Sequence, residues 1–228
     1  LENLYKVTLY LIMLNRFLTA VLYELLHYAQ KHPDFTNTDS ANLPAPIKAY
    51  LSKVQPSDFM RDIRLLVKYA NGENIITKDN ALLTAIAEFL TINLSTKIDQ
   101  LHVEFYRLKA SEQAKQIEEL VSSHTLIAQT LKEMLVKASL EELTQAVYKF
   151  IKSVVEVPYI IVQTPREMSA ELKKEIRNNL REHNHALSFP IFQINKNLIG
   201  GLRVFVNGKV TDNSWLGRIN HITSLNYV

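Results

Sequence analysis

The chain contains no cysteine, which removes disulfide frameworks, thiolate zinc sites and cysteine nucleophiles together. Glycine is scarce, with 5 residues in 228. So low a count disfavours glycine-rich phosphate loops and all-β folds with many tight turns, and it suits long helices. A strong charge of one sign is also missing. The formal net charge is +3; residues 1–155 are balanced, so the whole excess lies in residues 156–228. That is short of the concentrated basic patch that nucleic-acid binding needs. What is present is 47% hydrophobic and 21% charged residues, the composition of a globular protein rather than a disordered one.

The first 155 residues read as helices. Leu4, Val7, Leu11, Leu14, Leu18, Leu22, Leu25 and Leu26 recur at helical spacing, and the other apolar residues between them predict a helix buried on most sides. Val7–Leu26 is the only candidate for membrane insertion, but Arg16 stands at its centre. An arginine at mid-bilayer costs about 2.5–3.5 kcal/mol, so a bundle helix without direct membrane insertion is the reading. The helix should end at His32-Pro33. A polar loop over residues 33–46 follows. Pro56-Ser57-Asp58 opens a second helix that Asn71-Gly72 closes. Thr77 or Asp79 caps a third, the helical pattern continues over residues 95–108, and residues 111–155 form a long periodic segment without Gly or Pro, within which Ser139 followed by Glu141 and Glu142 marks a helix start. Tyr10, Phe17 and Tyr23 on the first helix are candidates to wall a groove for a partner helix.

Composition changes at Val157-Pro158. Tyr159–Val162 reads as a strand, and Ser169 caps a helix with Leu172, Ile176 and Leu180 on one face. Leu187–Ile194 reads as a second strand, with Pro190 marking an edge or bulge. Leu202, Val204 and Val206 alternate as a third strand, ending in the hairpin signal Asn207-Gly208. Asp212 to Ser214 can cap a last helix through Leu225. The fold class is therefore mainly α, with a helical bundle over 1–155 followed by a small β-α-β-β-α domain over 156–228.

Catalytic patterns fail on spacing. Gly201 and Gly208 bracket an alternating strand, and Lys209 is followed by Val210 rather than Ser or Thr, so this is a hairpin and not a phosphate loop. His183 and His185 stand two apart at a helix end and do not face each other. The pairs Glu118-Glu119 and Glu141-Glu142 diverge by about 100° around their helices and cannot share a proton. GxSxG and HExxH motifs and the GxxG loop of a KH module are absent. No catalytic, cofactor or metal residue is assigned. On physical grounds Leu198-Ile199-Gly200-Gly201 is a structural bend, with glycines serving positive φ or close backbone approach.

The run from Asn195 to Ser214 resembles the signature of the delta subunit of F-type ATP synthases, called OSCP in mitochondria. That family places an acidic and a small residue before Leu-Ile-Gly-Gly, then a strand, a tight turn, and Asp-Gly-Ser opening the last helix. Here Leu198, Ile199, Gly200, Gly201, Asp212 and Ser214 keep the pattern. Asn195 stands for the family's Asp, Asn213 for its Gly, and Pro165-Arg166-Glu167 alters the upstream turn. Ile161–Thr164 and Met168–Leu172 are similar to the family's strand and helix start. The resemblance covers residues 157–228, about a third of the chain, and the first 155 residues share only helical character.

The resemblance implies a non-catalytic stator, single-copy in a large hetero-oligomer and without cofactor. It implies that the helical domain grips the alpha subunits of the catalytic head and the tail binds the b-type stalk subunit. It also implies a place at an energy-transducing membrane. The basic tail and non-Met start favour the mitochondrial matrix face over a bacterial cytoplasmic face, and the Leu1 start suggests a processed or trimmed chain. The rival readings are a helical adaptor and a nucleic-acid-binding protein with a convergent tail.

Overall fold

A computed structural model describes residues 2–35, 42–73, 80–101, 103–137, 140–183 and 186–218. The chain divides into two compact units: residues 1–98 with 104–156, and residues 99–103 with 157–228. The second unit thus draws in Asp99–Val103, from the part of the chain that periodicity assigns to the helical domain.

The helical unit opens with α1 (Glu2–Lys31), which ends one residue before His32-Pro33. Its described face Met13, Leu14, Phe17, Leu18, Val21, Leu25 and Tyr28 is buried, while Ile12, Tyr23 and Leu26 are exposed. The described part is therefore amphipathic rather than buried on most sides. Arg16 forms an ion pair with Glu133 at 2.6 Å, so its charge is met on the surface of the bundle.

Next comes α2 (Ala45–Leu51), inside and just beyond the segment whose Pro, Asn and Ser residues read as loop. Pro44 and Pro46 hide it from periodicity, yet proline is well tolerated in a first helical turn, whose N–H groups have no intrahelical partner. The third helix, α3 (Pro56–Ala70), ends at Asn71 with Gly72 at φ +77°. Asn80 caps α4 (Ala81–Phe89), its side chain accepting from the Leu83 amide; Thr77 and Asp79 lie outside the described residues. Leu90–Leu94 forms a π-helical turn leading into α5 (Ser95–Gln100), and Val103–Arg107 is a 3₁₀ turn. The periodic segment over residues 111–155 holds α6 (Ala110–Leu120), α7 (Leu126–Lys137) and α8 (Leu140–Val154), the last beginning where Ser139 and the acids Glu141-Glu142 predict a start.

In this unit α1 packs on α3, α7 and α8, and α4 packs on α2, α3 and α8. Phe17 stacks on Phe89 with ring centroids 5.9 Å apart, and Phe150 meets Tyr69 edge-on. One polar node joins three helices inside this core. Buried Asp62 accepts from the Tyr50 hydroxyl and from the Asn80 amide, each at 2.9 Å. Asn80 therefore caps α4 and ties it to α3 at once. Burial, followed by the Asp62 carboxylate, pushes the Tyr50 phenol well above its ordinary range. Among the described residues the stretch long and apolar enough to cross a membrane is Ala81–Gln100, not Val7–Leu26. Most of it is buried in the protein, as a core helix requires.

The second unit is an α/β module. Its strands are β1 (Ile160–Thr164), β2 (Ile191–Ile194), β3 (Arg203–Val206) and β4 (Lys209–Asp212), in the sheet order β2-β1-β3-β4. Between β1 and β2 the chain crosses over through α9 (Ala170–His183), so these strands pair in parallel, while β3 lies antiparallel to both β1 and β4. The proline-led run from Leu187 is strand only from Ile191, directly after Pro190, and it forms the sheet edge. The return arm of the hairpin adds β4, a strand that the alternating pattern does not announce. Its turn residues Asn207 and Gly208 have φ +50° and +82°, the positive angles of a type I′ turn. Asn207 also anchors the start of β1: its side-chain oxygen accepts from the Tyr159 amide and its own amide donates to the Tyr159 carbonyl.

Ile160, Val162 and Met168 form the apolar centre, with Ile176, Leu180, Phe192, Val204 and Val206 against it. Leu172, expected on the same face, is 44% exposed. The buried side of α9 is instead partly charged: Lys173 and Arg177, flanking Ile176 and Leu180, are nearly inaccessible. Arg177 donates from Nε and Nη2 to both carboxylate oxygens of Asp99 at 2.8 and 3.0 Å, and from Nη1 to the Pro190 carbonyl. Its guanidinium lies 4.9 and 4.8 Å from the ring centroids of Phe189 and Phe192. Removing one partner of a buried pair typically costs about 3–5 kcal/mol, because the other charge is left unmatched. Asp99→Ala in the full chain should lose stability in that range on urea unfolding monitored by circular dichroism. A loss under about 1 kcal/mol, the size seen for exposed pairs, would show that the pair does not hold this unit together.

Candidate functional site

The Leu198–Ser214 corner is built around backbone approach. Leu198 is buried and Ile199 is 69% exposed. A β-carbon on Gly200 would stand 2.5 Å from Cδ1 of Trp215. Gly201 has φ +73°, and a β-carbon there would meet the Asn213 carbonyl oxygen at 2.5 Å and the Ser214 Cα at 3.0 Å. Both the left-handed angle and the close backbone exclude a side chain at 201. The loop is then stitched to the following segment by the Trp215 amide donating to the Gly200 carbonyl and the Asn213 amide donating to the Leu202 carbonyl. The paired glycines thus allow the segment before β3 to lie against the segment after β4.

Asp212 and Ser214 lock the other side of this corner. The Asp212 carboxylate accepts from the Ser214 hydroxyl at 2.5 Å, from the Ser214 amide at 2.9 Å, and from Nε and Nη2 of Arg203 at 2.9 and 2.7 Å. Arg203 and Asp212 are direct cross-strand partners on β3 and β4. Ser214, fully buried, accepts from the Gly217 amide through its hydroxyl and opens a helical turn at Trp215. It is the N-cap, and Asp212 orients its hydroxyl. Asn213 replaces the family's glycine without disturbing either contact. The continuation of this helix through Ile219, Ile222 and Leu225 lies outside the described residues.

Sequence reasoning picked out both ends of this corner but not Arg203, which reads as one polar residue of an alternating strand. Its signal is available: a hairpin turn at Asn207-Gly208 places 203 opposite 212. The three aromatic candidates on α1 do not come together as a set. Phe17 is fully buried against Phe89, so it belongs to the core and has no surface to offer a partner. Tyr23 is 58% exposed and stacks on His27. The Tyr10 side chain lies outside the described residues. His183 donates from Nδ1 to the Asn179 carbonyl one turn back, and His185 lies outside the described residues.

The glycines, Arg203, Asp212 and Ser214 all serve backbone geometry, and Ile199 and Trp215 stand exposed on either side of the Gly200 contact. Residues 107–225, just over half of the chain, match the family described as the ATP synthase delta (OSCP) subunit, and the chain belongs to that family. The match takes in α6, α7 and α8 as well as the α/β unit, so the kinship extends well upstream of residue 157. No curated protein matches the chain. Membership makes it a peripheral-stalk subunit of an F-type ATP synthase, a structural and not a catalytic part, associated with an energy-transducing membrane complex.

The hydrogen bonds from Ser214 and Arg203 hold the Asp212 carboxyl down to about pKa 2, against an ordinary 3.8. A depressed carboxylate pKa contributes stability that is complete above the unfolded value and is lost as pH falls through the folded one. Wild-type stability should therefore drop between about pH 4 and pH 2 by more than that of Asp212→Asn. The two curves, followed by denaturant unfolding, should be furthest apart near neutrality and converge at the acid end. Parallel curves over that window would show that Asp212 does not carry this coupling.

Proposed function

We propose that this subunit links the catalytic head to the membrane-anchored stalk and resists the torque of the rotor during proton-driven ATP synthesis. The observation that carries this reading is the family match, which spans helices of the first unit and nearly all of the second. In this reading residues 1–155 bind the alpha subunits of the head, with exposed Tyr23 on α1 as a contact. The α/β domain over 156–228 binds the b-type stalk subunit. One copy serves each complex, and no cofactor takes part.

Physical features of the tail support a partner there. Ile199, Trp215 and Val210 are each more than half exposed, in a unit too small to spare apolar area without a use for it. Packing of helices into apolar grooves carries load without group transfer, and obligate contacts of this kind bury large apolar areas. The chain works on the side of the membrane where the head projects. The basic excess of the tail favours the mitochondrial matrix, with the bacterial cytoplasmic face as the alternative.

Affinity capture with the full chain from detergent-solubilised membranes of the source organism tests the reading. Alpha and b-type subunits should be recovered together, and they should stay bound at about 0.5 M NaCl, where screening weakens exposed charge contacts. Recovery of nucleic acid or of an unrelated assembly, without ATP synthase subunits, would sink it.

A further inference from the structure

The helical unit contains a cleft that neither the family match nor the stator reading assigns. Its volume is about 410 Å³, within the roughly 300–1,000 Å³ range of small-molecule sites. Three segments wall it: the approach to α2, the helix that runs from α4 through the π-helical turn into α5, and the connection from α6 to α7. The floor is apolar, with Leu43, Phe89, Val121, Ile127 and Leu131 all buried beneath it. The rim is polar and one-signed. Lys48 and Lys97 line it with Ser122, Ser123 and Thr125, and no carboxylate does so among the described residues.

The π-helical turn helps to explain this layout. An α-helix advances 100° per residue, so positions 89, 93 and 97 would drift steadily round its surface. The wider turn over Leu90–Leu94 slows that drift, and Phe89, Asn93 and Lys97 all face the cleft. Such turns inside α-helices are found frequently at functional sites. Lys97 is the central feature. Its ammonium donates to the Leu120 carbonyl at 2.6 Å, which uses one of three N–H donors. Partial burial pulls it below its ordinary pKa of 10.5, so an anion in the cleft would favour the charged form.

We propose that this cleft binds a small anionic amphiphile, with its carboxylate or phosphate head at Lys97 and Lys48 and its apolar chain on the Phe89–Val121 floor. A head group of either kind accepts charge-assisted hydrogen bonds from the lysines and from the serine hydroxyls of the rim. The apolar floor selects against fully hydrated ions such as free inorganic phosphate. The cleft lies within the residues 1–155 assigned above to the head, but its lining does not include Tyr23, the contact named there.

Octanoate, octyl phosphate and uncharged 1-octanol are the probes, titrated into the full-length protein by calorimetry and by amide NMR. At least one anionic probe should saturate at a single site, shift the amides of residues 121–127, and lose about tenfold or more in affinity with Lys97→Met. The tighter of the two anions identifies the head group. Lys48→Met provides the second variant if Lys97→Met lowers the melting temperature, and it should weaken the same binding. The proposal is overturned if neither anion saturates, if 1-octanol binds equally well, or if both lysine variants bind as the wild type does.

Discussion

The buried pair between Asp99 and Arg177 is the constraint on which the α/β unit turns. Two charges removed from water need each other, since Arg177, set against the rings of Phe189 and Phe192, and buried Asp99 would each be left without a counter-charge. The cost of separating them recruits the end of α5 and the residues to Val103 into a module otherwise built from the last third of the chain. It also explains why α9 buries lysine and arginine on one face while Leu172 stays exposed on another.

The same unit shows how a signature can be mechanical without being chemical. Gly200 and Gly201 exist for the approach of Trp215 and Ser214, and Asp212 exists to fix Ser214 and Arg203. Leu198 and Ser214 are buried and Asp212 is engaged by Arg203 and Ser214, while Ile199 and the neighbouring Trp215 are left facing outward. Rigidity at the turn keeps those apolar side chains in a fixed geometry.

Much of this fold was legible in the sequence, and what was missed has physical reasons. Amphipathic helices such as α3 announced themselves by period and by punctuation, Pro56 at one end and Asn71-Gly72 at the other. The hairpin was legible from Asn207-Gly208, and the capping role of Asp212 and Ser214 from their residue types. The short α2 was hidden because its prolines signal loop and seven residues give too little period to count. The break at Val121–Thr125 between α6 and α7 was invisible because it uses no Gly or Pro, whereas the start of α8 was legible from Ser139 and the acids Glu141-Glu142. Phe17 read as a partner contact because periodicity identifies an apolar face without saying what covers it. Asp99 could not be matched to Arg177 at all, since a pairing across so long a stretch of chain leaves no local trace. In the first unit the Asp62 node joining Tyr50 and Asn80 was silent for the same reason.

The role proposed for this subunit is to restrain the head from turning with the rotor, and it stands or falls on whether that restraint is transmitted. The direct measurement is ATP-driven proton pumping by ATP synthase membranes of the source organism, stripped of this subunit and then supplied with the purified chain. The account predicts that stripping abolishes pumping while ATP hydrolysis continues, and that adding the chain restores pumping. Pumping that survives removal of the subunit, or that does not return when the chain rebinds, would contradict it.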